Sequence, residues 1–275
     1  MRSKSVPITD DHIHIDPVNG NGLKAAMEFQ RAGGSHLFLV SKPSSSFGIY
    51  PRSGKEFAPV FDATLRVAEQ IRDLGLVVYP ILGIHPAEIT RLSEVMPLPE
   101  TIAVMKGGLD LAALYIREGK ACALKSGRPH YEVVPEILAA ANDVLMHSLS
   151  LGTECDCAVQ IHAESGPCAD ILDMANKTGM SPSRVVKHYA TPDTPLVPSM
   201  IATDHAITMM CRERMRFTME SDYMDEKTRP GAVSGPKSVP KYTRRLLGAG
   251  LITEEDAHRI HTDTPMRVYG VDISL

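Results

Sequence analysis

The feature that most constrains the fold is a repeated alternation of short apolar runs with amphipathic stretches of ten to twenty residues. This alternation is typical of a parallel β-sheet whose strands are joined by helices. Runs rich in Val, Ile and Leu predict eight strands, near residues 8–15, 36–40, 76–84, 121–125, 157–162, 184–188, 199–203 and 216–222. Helical periodicity predicts helices at residues 23–31, 56–74, 99–117, 135–151, 241–248 and 253–261.

Eight strand and helix units in 275 residues average about 34 residues each, which matches a (β/α)8 TIM barrel. A barrel of this length leaves little chain for a second domain, so we expect residues 1–275 to form a single domain. The seventh unit is abbreviated. A flavodoxin-like open sheet is the alternative fold, although it would leave several of the predicted strands unused.

Composition narrows the function classes. The chain has 29 Lys and Arg against 33 Asp and Glu, a formal net charge of −4, so it lacks the basic excess of proteins that bind duplex DNA non-specifically. Five cysteines, without the spacing of a zinc ribbon, indicate a reducing compartment. No apolar leader or membrane-length apolar stretch is present, so we expect a cytoplasmic protein with no membrane partner. A homo-oligomer is compatible with the sequence.

Residues that can bind metal occur at the carboxyl ends of the predicted strands, where a barrel carries its active site. His12 and His14 end the first strand in the segment DDHIHID. Because residues two apart on a strand point the same way, this pair can present two imidazoles to one cation.

The same placement recurs further along the chain. Lys125 ends ACALK, His162 ends CAVQIH, His188 ends RVVKH and Asp222 follows RFTMES. Intervals of 37 and 26 residues separate the first three, about one strand and helix unit each, so these side chains should come from adjacent strands and converge. The interval of 34 residues from His188 to Asp222 must contain the short seventh unit. The sequence therefore predicts a metal site formed by His12, His14, Lys125, His162, His188 and Asp222.

These motifs resemble the amidohydrolase superfamily, and within it the TatD-like metal-dependent hydrolases. The resemblance rests on DHIHID, ILGIHP, VQIHAE, VVKHYA and MESD, which span residues 11–222, and on the tail TDTPMRVYGV. It implies a barrel hydrolase that holds one or two divalent cations on the six residues named above. Mixed imidazole and carboxylate ligands favour Zn²⁺, and Mn, Co, Ni, Fe or Mg remain open.

Lys125 departs from the TatD-like pattern, which has a glutamate in a GEIGLD motif after the fourth strand. In the phosphotriesterase-like and urease-like branches, a lysine at this place is carboxylated by CO₂ and bridges two metals. A segment similar to KSGRPHY occurs in an archaeal branch of TatD-like proteins. Lysine pKa falls readily among positive charges, so a neutral Lys125 amine could take up CO₂ as a carbamate. The alternative is an unmodified lysine, which would repel metal.

The ligands indicate the chemistry. Metal-held water loses a proton near neutral pH, and the metal polarises the bond under attack. Asp222 would accept that proton and pass it to the leaving group.

Four residues are candidates for contact with the substrate. The resemblance implies that His85 in GIHP faces the substrate phosphate and takes part in catalysis. Arg128, His130 and Tyr131 follow the fourth strand, and an arginine there can clamp an anion, the alternative being a salt bridge within the loop. A further cationic segment, more typical of a solvated charge run, contains Lys227, Arg229, Lys237 and Lys241.

The leading hypothesis is a metal-dependent hydrolase of a phosphoester, either a small phosphodiester, including a nucleotide, or the end of a DNA or RNA strand. A lactone or cyclic-amide hydrolase of phosphotriesterase-like type is the second hypothesis. The third is a barrel that binds metal or a metabolite in a complex without turnover. Of the remaining histidines, His258 and His261 lie three apart on a predicted helix and are expected to be exposed.

Overall fold

The predicted apolar runs form parallel β-strands, and helices lie between most of them along the chain. The structure is a computed structural model that describes residues 6–201, 203–226 and 234–275. These residues fall into two compact units. The first unit comprises the described residues of 1–39, 67–79 and 198–275, and the second comprises residues 40–66 and 80–197.

The first unit is organised around strand β1 (Thr9–His14), which lies between two parallel neighbours. Strand β2 (His36–Val40) is on one side and β9 (Tyr223–Met224) is on the other. Strands β7 (Val197–Ile201) and β8 (Thr218–Glu220) also pair in parallel. Aromatic and aliphatic side chains from β1, β2 and the helices that follow them form one buried core.

The second unit contains most of strand β3 (Val77–Gly83), followed by β4 (Ala123–Gly127), β5 (Ala158–His162) and β6 (Val185–Lys187). Each is parallel to the next. Their apolar faces and the helices around them form a second buried core.

The helices occupy the amphipathic stretches, because apolar residues at helical spacing need a sheet face on which to bury. Their bounds are α1 Leu23–Arg31, α2 Ala58–Arg72, α3 Glu88–Ser93, α4 Leu98–Arg117, α5 Pro135–Glu154, α6 Ala169–Thr178, α7 Asp204–Arg212, α8 Ser238–Gly248, α9 Glu254–His258 and α10 Thr264–Tyr269. Within the described ranges, no helix has both the length and the apolar character needed to cross a membrane.

Three sequence expectations need correction. The fourth strand begins at Ala123 rather than at residue 121 and continues to Gly127, so Lys125 is a mid-strand residue paired with Gln160. The eighth predicted strand is shortened to Thr218–Glu220, because the backbone after it turns at Asp222 and resumes as β9. Helices α3, α6 and α7 were not predicted, since they are short or follow loops rich in proline and glycine, whereas α10 lies within the tail TDTPMRVYGV, which the resemblance implied to be the last helix.

The expectation that His261 is exposed is wrong. The residue lies in a π-helical turn, Arg259–Asp263, and is fully buried. Its ring contacts the backbone of Thr9 at 3.2 Å and the hydroxyl of Thr243 at 2.8 Å. The helical periodicity could not reveal these two partners, which come from β1 and α8. His258 is partly exposed.

Candidate functional site

The first unit brings together three of the predicted metal ligands. His12 and His14 lie at the carboxyl end of β1 and are buried, and their Nε2 atoms are 3.1 Å apart. Asp222 Oδ1 is 3.8 Å from His12 Nε2. Two imidazole nitrogens and a carboxylate oxygen therefore converge on one small space.

The backbone around Asp222 explains how its side chain reaches His12. Asp222 has a φ of 46°, a left-handed conformation that is uncommon for a residue other than glycine. Its N–H donates to the carbonyl of His12 at 3.0 Å, which ties the turn to β1. The preceding Ser221 N–H donates to the Asp10 carboxylate at 3.0 Å. Burial raises the pKa of Asp10 to about 7, against the hydrogen bonds from Ser221 and His12.

The second unit has a cluster of histidines around His162, the last residue of β5. His162 Nδ1 is 2.9 Å from His188 Nε2, and His162 Nε2 is 2.7 Å from His130 Nδ1. The ring of His85 is also close, with 4.8 Å between its centroid and that of His162. Predicted ligands and predicted substrate residues are thus neighbours within this unit.

The electrostatics of the cluster favour a neutral imidazole at His162. Its pKa lies well below the ordinary value because it is buried, and because the positive charges of His85, Lys125, His130 and Lys187 oppose protonation. Lys125 is only 2% exposed on the neighbouring strand. A neutral imidazole has a lone pair free to bind a cation, and protonation would remove it.

Two backbone features adjoin the cluster. Gly127 has a φ of 147°, and a Cβ at this position would be 1.8 Å from the carbonyl oxygen of His162, so only glycine permits β4 to approach β5 so closely. Tyr189, directly after His188, has a φ of 51°. Conformations of this kind are costly and concentrate at functional sites.

Arg128 forms a salt bridge, but with the distant carboxylates of Glu164 and Asp170 rather than within its own loop, as the alternative to anion binding had it. Its guanidinium makes five hydrogen bonds, with Glu164, Asp170 and Asn142 as acceptors. The Nε–Glu164 Oε2 distance is 2.8 Å and the Nη1–Asp170 Oδ2 distance is 2.5 Å. Because an arginine has five N–H groups, a bound anion would have to displace one of these acceptors.

A cleft of about 680 Å³ opens beside this ion pair network. His130 and Tyr131 are among the residues that line it. The hydroxyl of Tyr131 is 2.7 Å from the hydroxyl of Thr90. Hydrogen bonds from Arg128 lower the pKa of Asp170, and the same bonds lower the pKa of Glu164 against the opposing effect of burial. With Glu132 also in the lining, the cleft contains three carboxylates and one guanidinium, so it is acidic.

Sequence reasoning missed Glu164, Asp170, Asp10 and Asp225. Glu164 follows His162 by two residues and Asp225 follows Asp222 by three, so proximity to a strand end was the available signal. Of the cationic segment near the eighth strand, Lys227 and Arg229 lie outside the described residues. Lys237 pairs with Glu28 at 3.1 Å.

Phosphotriesterase-like proteins are among the solved structures with a similar fold. A mutant of the PTE-like lactonase of Deinococcus radiodurans is 11% identical, with a TM-score of 0.63 over 96% of this chain and 95% of that one. The phosphotriesterase homology protein of Escherichia coli, complexed with phosphate in its active site, is 13% identical, with a TM-score of 0.58 over 97% and 100% of the two chains. This chain therefore has an α/β-barrel fold of the class found in such hydrolases, as the sequence predicted.

Sequence comparison identifies the family. The family described as TatD related DNase matches residues 9–270, and the chain belongs to it. An uncharacterized protein of the archaeon Methanocaldococcus jannaschii, MJ1127, is 32% identical over 293 residues, covering 99% of both chains. Membership of this family supports a metal-dependent hydrolase, and the TatD family generally uses divalent metals.

Proposed function

We propose that this protein hydrolyses the phosphoester bond of a small phosphodiester with the help of one or two divalent metal ions. The observation that carries the proposal is the crowding of imidazoles at strand ends. Nitrogen atoms of different histidine rings lie 3.1 Å, 2.9 Å and 2.7 Å apart. Imidazole nitrogens crowded in this way suit a bound cation, because each unprotonated nitrogen can supply one lone pair.

The donors of the first unit fit a metal ion. Ligand atoms at opposite ends of a tetrahedral edge lie about 3.3 Å apart when each is about 2 Å from zinc. The separations of 3.1 Å between His12 and His14 and 3.8 Å between His12 and Asp222 are close to this value. We assign His12, His14 and Asp222 as ligands.

From the second unit we assign Lys125, His162 and His188 as ligands. The low pKa of His162 supports its neutral form. Lys125 would contribute as a carbamate, formed when its neutral Nζ attacks the carbon of CO₂ and releases a proton. A carbamate converts a buried cation among imidazoles into an anionic oxygen ligand, which removes the repulsion between Lys125 and a metal ion.

A divalent metal supplies two effects when bound, since it lowers the pKa of water and polarises the ester. Asp222 accepts the proton of the attacking water through its carboxylate and returns it to the leaving oxygen. His85 and His130 stand beside His162 and would donate hydrogen bonds to the oxygens of the substrate. Tyr131 lines the adjoining cleft, and Arg128 holds that cleft together through Glu164 and Asp170.

The acidic cleft favours a small phosphodiester over a nucleic-acid strand. A strand carries one negative charge per phosphate, and extra phosphates beside Glu164 and Asp170 would be repelled. A small diester places only its reacting phosphate at the metal. The overall net charge of −4 acts in the same direction.

The test measures metal content and turnover of bis-p-nitrophenyl phosphate for wild type and a set of variants. We expect His162→Ala and Lys125→Ala to lose metal and turnover together. Lys125→Glu, which restores a carboxylate, should retain metal. His147→Ala is the matched control, since His147 pairs with Asp110 on the surface of the same unit.

The alternatives have distinct outcomes. Metal-dependent opening of an uncharged lactone, without diester turnover, would replace the phosphoester with a lactone or cyclic-amide substrate. Bound metal without turnover of any ester would leave a metal-binding or metabolite-binding barrel. Failure of carefully prepared wild type to take up metal would refute the hydrolase. We also propose a cytoplasmic location, which the free thiols of the five cysteines support.

A further inference from the structure

The short strand β9 connects Asp222 to the end of β1. Tyr223 pairs with Ile13 and Met224 pairs with His14, in parallel. Asp225 follows directly, so the segment that carries Asp222 returns to the same strand that carries the two histidines. Movement of β9 along β1 would shift His14 and Asp222 relative to each other.

Asp225 fastens this segment to the loop after β1. Its carboxylate is completely buried. It accepts hydrogen bonds from the backbone N–H groups of Asp16 at 2.9 Å, Asn21 at 2.6 Å and Gly22 at 2.8 Å. The hydroxyl of Tyr223 adds a fourth bond at 2.9 Å. Four hydrogen bonds therefore hold one buried carboxyl group.

The loop after β1 is shaped around this carboxylate. A Cβ at Gly20 would lie 2.2 Å from Asp225 Cγ, so the carboxyl group fills the space that a side chain at residue 20 would need. Gly20 and Asp225 therefore fit closely against each other. This fit opposes movement of β9 along β1 as well as movement away from it.

Asp222 needs support on both sides. Its left-handed backbone is unfavourable for an aspartate, so neighbouring contacts must hold it. On the preceding side, Ser221 donates to Asp10. On the following side, the first fixed point beyond the β9 pairing is Asp225.

We propose that Asp225 is a positioning residue for the metal site, one that sets the distance between Asp222 and the histidines of β1 without touching metal or substrate. This inference rests on the proposed metal-dependent function. Contacts that orient metal ligands typically change metal affinity 10-fold to 100-fold when they are removed. Asp225→Asn keeps the size of the side chain but directs an amide N–H₂ at backbone N–H donors, so it should release the loop.

The experiment titrates Co²⁺ into the metal-free full-length chain and follows the visible absorption of the bound ion. We expect the Co²⁺ dissociation constant of Asp225→Asn to rise about 10-fold to 100-fold. The shape and intensity of its spectrum at saturation should also change, because ligand geometry changes. Glu88→Gln is the control: Glu88 is likewise buried and accepts hydrogen bonds from the backbone N–H and hydroxyl of Ser44, in the other unit.

Each outcome is decisive. A wild-type dissociation constant and spectrum for Asp225→Asn would overturn the positioning role and leave the proposed function standing. An equal loss of affinity in Glu88→Gln would also overturn it, because the effect would then be general loss of stability. No Co²⁺ uptake by wild type would refute both proposals. If Asp225→Asn does not fold, Tyr223→Phe removes one bond to Asp225, and unchanged affinity and spectrum there would overturn the role.

Discussion

The loops beside the two histidine clusters are held by opposite kinds of contact. In the first unit, the Asp225 carboxylate is fully buried and its partners are mainly backbone N–H groups. In the second unit, Arg128 has a side chain that is 7% exposed, and its partners are the carboxylates of Glu164 and Asp170, 41% and 54% exposed. The Asp225 carboxylate is therefore buried away from water, whereas the carboxylates that bind Arg128 are about half exposed to it.

The difference indicates that the Asp225 contact determines the geometry of its loop, whereas the Arg128 contact determines the charge of the cleft. A buried carboxyl group that accepts from backbone N–H groups is expensive to remove, because the buried donors then lose their acceptor. An ion pair with exposed partners is weakened by water and salt, so it contributes less to stability while still shaping the field of the cleft. The predictions below test this contrast.

Removal of the Asp225 carboxylate should have the largest effect. Asp225→Ala leaves three backbone N–H groups without their acceptor, two of them in buried contacts, so we expect the free energy of unfolding to fall by roughly 3–5 kcal/mol. Equilibrium unfolding in urea measures it. Glu154→Ala, which removes an exposed ion pair with Arg117, is the comparison and should cost less than about 1 kcal/mol. Equal losses in the two variants would remove the contrast.

His261 is a second buried polar residue, and it predicts how stability depends on acid pH. Burial lowers its pKa to about 4 from an ordinary value of 6.5. As the pH falls, His261 therefore takes up a proton in the unfolded chain at a higher pH than in the folded chain. The contribution of neutral His261 to the free energy of unfolding is complete above pH 6.5 and is lost as the pH falls towards 4. It amounts to about 3 kcal/mol.

The measurement is the free energy of unfolding of wild type minus that of His261→Gln, determined at pH 7 and at pH 4. We expect this difference to decrease by about 3 kcal/mol on acidification, because glutamine does not titrate. Parallel pH profiles for the two proteins would contradict the prediction.

The fit between Gly20 and Asp225 predicts a smaller loss. Gly20→Ala places a methyl group where the Asp225 carboxyl lies, and the strain should lower the free energy of unfolding by roughly 2 kcal/mol. The matched control is Gly248→Ala, at the last residue of α8, where a Cβ meets no atom within 4 Å. There the same substitution should raise stability by roughly 0.5–1 kcal/mol. Thermal unfolding of both variants distinguishes these signs.

Arg128→Gln should have the smallest effect on stability. Its carboxylate partners are half exposed, so we expect a loss of roughly 1 kcal/mol that shrinks in high salt, where charges are screened within about 3 Å. Urea unfolding at low and high NaCl measures both quantities. A loss as large as that of Asp225→Ala, and independent of salt, would show that exposure does not separate the two contacts.

Much of the fold was predictable, because strands and helices follow local patterns. The H-x-H pair of β1 shows this most clearly, since strand alternation alone places His12 and His14 on one side. Lys125 was less predictable. Its apolar run reads as a strand that ends at the lysine, whereas pairing with β5 extends β4 to Gly127. That extension depends on the neighbouring strand, which the local pattern does not contain.

The partner of Arg128 marks the limit of sequence reasoning in the second unit. The sequence shows an arginine after a strand, a pattern that favours a bound anion and leaves an internal ion pair as the alternative. Glu164 and Asp170 are 36 and 42 residues further along the chain. Only the packing of the loops brings these carboxylates to the guanidinium, and the cleft becomes acidic as a result.

By itself, the sequence determined the order of strands and helices and the residue types at the strand ends, because those follow from periodicity over a few residues. The tertiary structure decided which polar groups share one space. Asp225 and Gly22 are 203 residues apart, and the local sequence around either residue does not predict their contact. The contact forms because a buried carboxylate and a buried backbone N–H each need a hydrogen-bond partner. Which groups become partners depends on the distant segments that pack together.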